Sequence, residues 1–332
     1  MIRYIYEHYH LQVKELIPLG HYKSFWIRNQ IYVLFPIGNL EEDELIEMKN
    51  LSDYMRQQGD QTVMLFVPNI HGYYVTEIEE TNYCLLTGTR FVQNANASLG
   101  NELAVFHKRG AYFPSEVEHL RRIGEWKALW EKRIEQLERF WQSKVANHPT
   151  DTFDQMFIES FPYYLGIAEN AIQYVADTEL DDTPQFADAA TICQERFSPS
   201  LWKSTQQFKI PADWVFDHPS RDLAEWIRTI SFEKKGEWKQ TISQFLTDYE
   251  RVYPLSSFGW RLLFARLLFP LHYFETAEQY YLTGNEAVRE IYRDRLEMML
   301  ADVRQTEQFI GSFFQLARTP VRKTDIRKLD WL

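Results

Sequence analysis

Cysteine is nearly missing from this chain. Its 332 residues hold two, Cys84 and Cys193. They lie too far apart for metal-ligand spacing and are too few for a disulfide framework, which excludes a stapled or zinc-bound fold and fits a reducing compartment. Long apolar runs are also absent, and no segment approaches the roughly 20 apolar residues of a membrane span. Even the greasiest stretch, residues 259–270, carries Arg261 and Arg266 and stops at Pro270. The start, Met1-Ile2-Arg3-Tyr4-Ile5-Tyr6-Glu7-His8, lacks the apolar core of an export signal, so the expectation is a soluble product made without export. Asn96-Ala97-Ser98 is then an accidental glycosylation sequon. Base is in deficit: 36 Lys and Arg against 47 Asp and Glu give a net charge of -11, which argues against a nucleic-acid binder built on a basic face.

Apolar and aromatic residues are plentiful. At 45% hydrophobic and 16% aromatic, the chain can bury a large core, and its length predicts two lobes. Residues 25–35 hold two β-rich runs around Asn29-Gln30, a hairpin pattern. A helix is expected next, with Asn39 as cap, Glu41, Glu42 and Asp43 at its positive end, and Leu45, Met48, Leu51 and Met55 on one face before Gly59. Residues 62–68 and 83–87 read as strands. From residue 97 onward the pattern is helical: 99–106, a helix of about twenty residues carrying Trp126, Trp130, Ile134, Leu137 and Trp141, then 153–176, 222–232, 238–249, 258–268 and a long one over 285–317. Between residues 174 and 222 lies an irregular, proline-bearing stretch of the kind that carries site loops on a helical scaffold. The tail, 318–332, reads as a basic extension.

Several segments, in matching order along the chain, resemble kinase-like phosphotransferases. Ser98-Leu99-Gly100-Asn101-Glu102-Leu103-Ala104-Val105-Phe106-His107-Lys108 looks like their Leu-Gly-x-x-Leu-Ala-x-Phe-His helix, and Pro219-Ser220-Arg221-Asp222-Leu223-Ala224 like the Pro-x-x-Asp-Leu-Ala that follows the metal-binding strand. Tyr112-Phe113-Pro114 through Gly124-Glu125-Trp126, and Asp248-Tyr249-Glu250-Arg251-Val252-Tyr253-Pro254 with the helix ending at Pro270, are similar to the YutH-type branch of the CotS-like spore-coat proteins. The resemblance covers nearly the whole chain. It implies an α+β, two-lobed, aminoglycoside-phosphotransferase-like fold, with a small β-rich lobe over residues 1–90 and a helical lobe over 91–332 that carries a degenerate catalytic loop. It also implies a soluble component of the bacterial endospore coat, made in the mother cell and deposited on the forespore, with other coat proteins as partners.

A working enzyme of this fold needs a strand lysine for the ATP phosphates, a helix glutamate to orient it, a base and magnesium ligands. The resemblance places Phe35 where the lysine belongs. Leu16-Ile17-Pro18-Leu19-Gly20-His21 has one glycine where a phosphate cradle wants several. Glu44 and Glu47 sit on the expected helix with no lysine to orient. For the base, aligning Gln194-Glu195-Arg196 on His-x-Asp supplies a cation, Arg196, whereas Cys193-Gln194-Glu195 supplies a carboxylate; both registers stand. Asp213-Trp214 resembles the segment that holds the metal, so Asp213 is the candidate cation ligand. Asp222 is expected to hold the catalytic-loop backbone, a structural role that outlasts chemistry.

The resemblance therefore implies a pseudokinase with no catalytic residue, metal or cofactor. An active phosphotransferase on a small hydroxylated or amino-sugar molecule or on a coat protein, using Glu195, Asp213 and magnesium-ATP, is the alternative, and a small-molecule-binding module is a third. The remaining candidates read as structural: His8 and His10 as exposed residues of a strand, His107 as helix packing, His218 as a turn partner, and Cys193 as an inert thiol.

Overall fold

The computed structural model describes residues 1–90, 98–197, 202, 207–233 and 238–317, with backbone only at 232 and 233. The basic tail, the sequon at Asn96 and residues 198–201 of the expected catalytic loop lie outside the described residues. Backbone proximity divides the chain into two compact units. One comprises residues 1–122, 190–222 and 248–253, the other 123–189, 223–247 and 254–332.

The first unit is built on an antiparallel sheet in the order β1 (Ile17–Leu19), β2 (Tyr22–Ile27), β3 (Gln30–Pro36), β6 (Thr81–Thr89), β4 (Leu65–Val67), with β5 (Val75–Ile78) also on β6. β3 is central and therefore apolar from Ile31 to Phe35, all five residues buried. Helix α1 (Ile2–Tyr9) seats Ile5 and Tyr9 on Phe25, Tyr32, Leu34, Ile78 and Leu85. This corrects the reading of His8 and His10 as strand residues. His8 lies in the last turn of α1, and His10 ends it in the left-handed conformation, φ 53°. The apolar spacing is helical, since Ile5 and Tyr9 are four residues apart.

Helix α2 (Glu42–Gln57) buries Leu45, Met48, Leu51 and Met55, as their spacing predicts. Its cap is Glu41 rather than Asn39: the Glu44 carboxylate accepts the Glu41 N–H at 2.9 Å, and three acidic residues fill the first turn. Helix α3 (Leu99–Gly110) is capped by Ser98 and lies against β7 (Thr191–Gln194), which pairs antiparallel with β8 (Trp214–Asp217). Gly110 permits that approach. A Cβ there would stand 2.8 Å from the Ile192 nitrogen and closer still to the Thr191 hydroxyl.

The segment before β8 is tied to the sheet by backbone hydrogen bonds from Met64 to the Lys209 carbonyl and from Lys209 to the Thr62 carbonyl, 3.0 and 2.9 Å. Its lysine pairs with buried Asp60 at 2.5 Å, and Asp60 also accepts the Thr62 N–H and hydroxyl. The charge is buried only because it is paired and hydrogen-bonded.

The second unit is helical: α4 (Trp126–Ala146), α5 (Thr152–Asp181), most of α6 (Ser220–Glu233) and α7 (Trp238–Glu250), α8 (Ser257–Leu268), α9 (Leu271–Leu282), α10 (Glu286–Ala301) and α11 (Val303–Leu316). The single long helix expected over 285–317 is two helices that meet at Asp302, each presenting its own apolar face. Pro162 sits inside α5, where it cannot donate to the Ile158 carbonyl one turn back. The Trp141 indole N–H of α4 donates to that carbonyl at 3.0 Å. Asp154 is covered by Lys144, Thr150 and Tyr281, which all donate to it, and Arg133 grips Glu278 through two bonds of 2.8 and 2.6 Å.

Candidate functional site: a kinase frame with its charged groups committed elsewhere

The end of β7 lies beside the start of β8, Gln194 opposite Trp214, so the residue that follows β7 and the residue that precedes β8 meet. Glu195 donates its backbone N–H to the Asp213 carbonyl, which fixes the start of the loop after β7 beside Asp213. Asp213 is half-buried and Glu195 exposed. Burial pushes the Asp213 carboxyl up from its ordinary value; the Tyr22 hydroxyl and His21 oppose this, and the Glu195 charge adds to the rise.

Tyr22 opens β2, and its hydroxyl donates to Asp213 Oδ1 at 2.6 Å. Burial, with Asp213 second, holds that phenol far above its usual range, so it remains a donor. Tyr22 rests edge-on against Phe35, ring centroids 6.2 Å apart, and Phe35 is buried opposite Cys84 of β6. β1 and β2 meet in a two-residue turn, Gly20-His21, with Gly20 at φ 61°. A turn that short leaves no row of amides to face a phosphate.

The two helix glutamates are also occupied. Glu44 completes the α2 cap, and Glu47 accepts the backbone N–H groups of Glu118, His119 and Leu120 at 2.8–3.1 Å. Three backbone donors on one carboxylate make a strong clamp, because each is charge-assisted.

Asp222 and Arg221 open α6 and hold the same residue from two sides. Asp222 is fully buried and accepts the Gln194 N–H at 2.9 Å. Arg221 Nε donates to the Gln194 carbonyl at 3.1 Å, Nη2 to the Glu195 carbonyl at 3.3 Å, and Nη1 to Asp217 at 2.8 Å. The other face of Asp222 meets His107 Nε2 at 3.1 Å, whose Nδ1 lies 2.8 Å from the Tyr249 hydroxyl. Burial pushes the Asp222 carboxyl up, and His107 and the Gln194 N–H draw it back. His218 Nδ1 lies 3.1 Å from the Ser220 nitrogen, a turn contact.

His107, Cys193 and Asp222 put an imidazole nitrogen, a thiol and a carboxylate within 4.8 Å of one another, all buried. Both imidazole nitrogens are already engaged, one by Asp222 and one by Tyr249, which leaves the ring no lone pair to offer a metal.

The structure thus brings Glu195, Asp213 and Asp222 of the sequence reading to one region and adds Tyr22, Arg221 and Tyr249 to it. Tyr22 and Tyr249 carry no sequence signal for these roles, whereas Arg221 stands inside the Pro-x-x-Asp segment and could have been read from its place.

Fold and frame define the class: an aminoglycoside-phosphotransferase-like kinase fold, α+β, with an antiparallel sheet in its N-terminal region and helices through its C-terminal region. A solved aminoglycoside phosphotransferase from Alicyclobacillus acidocaldarius superposes with a TM-score of 0.67 over 96% of each chain at 14% identity. Within that class the chain belongs to the family described as "Spore coat putative kinase YutH", which matches residues 2–313. It is 43% identical to the endospore coat-associated protein YutH of Bacillus subtilis over 99% of this chain and 97% of that one. It is 23% identical to spore coat protein S of the same organism over 64% of this chain and 62% of that one. No described helix is long and apolar enough to cross a membrane.

Proposed function

We propose that this chain is a non-catalytic, kinase-like component of the endospore coat or of its assembly, made in the mother cell, placed on the forespore, and working through contacts with other coat proteins. The observation that carries this reading is the commitment of Asp213 to Tyr22, backed by Phe35. A hydroxyl engages one oxygen of the carboxylate that a cation would need, and an apolar ring stands in the strand position where the resemblance calls for a lysine. The residues present do not fit magnesium-ATP: the two-residue Gly20-His21 turn, Phe35 and the Glu47 clamp remove the amide cradle, the phosphate cation and its orienting acid. The coat role follows from family membership and from the named role of the Bacillus relative.

A second reading, phosphotransfer with Glu195 as base and Asp213 as cation ligand, is favoured by one observation, the backbone hydrogen bond that sets Glu195 beside Asp213. Two experiments separate the readings. In a thermal-shift titration, millimolar magnesium-ATP is expected to leave the melting temperature unchanged; saturable stabilisation of about 2–4 kcal/mol, as for a ligand far above its Kd, refutes the first. A Glu195→Gln, Asp213→Asn double variant, expressed in place of the normal protein in a spore-forming host, is expected to reach the coat and give normal resistance and germination, because general-base chemistry does not survive loss of both acids. A variant that reaches the coat yet gives the deletion phenotype establishes the second reading.

A further inference from the structure

The second unit encloses a cavity that the kinase frame does not use. Its volume is ≈ 110 Å³, and it lies among α5, the α8–α9 junction, α7 and α11. Two aromatic pairs form its walls. Tyr164 stacks on Tyr273 with centroids 3.7 Å apart, and Trp238 meets Phe309 edge-on at 5.2 Å. The first pair is held in place because the Tyr273 hydroxyl bonds Ser160 at 2.9 Å. Leu267, Phe269 and Ile310 complete an apolar lining whose buried rings are already ordered, so a ligand entering there would meet a preformed surface.

The polar groups at this cavity are not balanced. Its ionisable residues are Asp302, Glu307, Arg228, His272, Tyr163, Tyr164 and Tyr273. The Arg228 charge is spent on Glu225 at 3.0 Å, and its other nitrogen donates to the Arg266 carbonyl. Burial drives His272 below its ordinary value, which favours the neutral ring. Tyr163 donates to Glu307 at 2.6 Å, and burial with that neighbour raises the phenol, so it stays neutral. What remains on the lining is two carboxylates, half-buried Glu307, which accepts the Tyr163 hydroxyl, and exposed Asp302, together with the aromatic rings; carboxylates and ring faces both attract a cation.

We propose that this cavity is a binding site for a small amine with an apolar, ring-sized body: the rings and aliphatic side chains take the body, and Glu307 with Asp302 takes the ammonium. The site is independent of the nucleotide frame and of whether that frame is active.

The test is isothermal titration calorimetry, with saturation-transfer NMR, of the full chain against 2-phenylethylamine and against phenylacetate, which has a similar body and the opposite charge. The wild type is expected to bind the amine at least tenfold more tightly than the acid, and Glu307→Gln to erase most of that preference. Val303→Trp, at the half-buried start of α11, and Ile310→Trp, deeper in the wall, are expected to abolish amine binding. Two positions are used so that a variant with an unchanged melting temperature is available even if the other folds poorly. No binding of the amine, equal affinity for amine and acid, or binding that survives both tryptophans in folded protein overturns the proposal. So does amine binding that appears only when residues 318–332 are removed, which would make the chain's own basic tail the occupant.

Discussion

The Tyr22 hydroxyl donates to the Asp213 carboxylate at 2.6 Å, joining the first residue of β2 to the residue just before β8 across 191 positions of sequence. The bond is partly buried, and one partner is a carboxylate, so its loss exposes a poorly solvated acceptor. Tyr22→Phe keeps the ring against Phe35 and removes only the donor. It is expected to cost about 1–2 kcal/mol, read as a lower denaturant midpoint with unchanged slope. An unchanged midpoint would show that water replaces the phenol without loss.

Asp222→Ala is expected to destabilise the fold by about 1–3 kcal/mol, because it strands the Gln194 N–H and His107 in a site closed to water. Asp222→Asn offers a comparison. Its amide oxygen can still accept from Gln194, so it should fall between the wild type and alanine. Urea melts of the three proteins decide the order.

Trp141 compensates for a proline. Trp141→Phe leaves the Ile158 carbonyl without its donor and should cost about 1–2 kcal/mol beyond any packing change. In a Pro162→Ala background the helix regains its own N–H donor, so the same substitution should cost less. The measurement is a double-mutant cycle. Additive effects would show that the indole and the proline act independently.

Asp154 sets an acid limit. Burial raises its carboxyl, but the Thr150, Tyr281 and Lys144 donors outweigh this and hold it at about 2. A carboxyl depressed in the folded state takes up its proton first in the unfolded chain. Its contribution is therefore complete above the ordinary aspartate value and is lost as pH falls from about 4 towards 2. Stability measured by urea melts over that window should fall with a smaller slope in Asp154→Asn than in the wild type; equal slopes would remove Asp154 from the account.

Helices with a wide apolar face were legible from residues alone: Trp126, Trp130 and Leu137 mark α4, and α2 follows Leu45, Met48, Leu51 and Met55. β7 and β8 were not. Each is four residues long, and β7 is buried at every position, so no alternation of apolar and polar residues appears. The family resemblance implies a strand ahead of Pro219, where β8 lies, and nothing in it marks Thr191–Gln194 as a strand. The break at Asp302 escaped because apolar spacing continues on both sides of it.

In the site, Glu195, Asp213 and Asp222 were reachable by motif, whereas the duties of Tyr22 and Glu47 were not. A tyrosine that satisfies an acid 191 residues away, or a glutamate that accepts three backbone amides some seventy residues downstream, leaves no local pattern. Such pairings arise from tertiary approach alone.

Tyr249 is fully buried against His107, yet it belongs to a six-residue return, residues 248–253, by which the chain re-enters the sheet-bearing unit. A ribosome delivers the chain from its N-terminus, and domains that are continuous in sequence can close as they emerge. This unit cannot: its hydrogen-bonded centre stays open until residue 253 of 332 has been released. The His107 side chain must wait, with its Nδ1 unpaired, for the 142 residues that separate it from Tyr249, and a chain cut before Tyr249 would lack the hydroxyl that completes its network with Asp222.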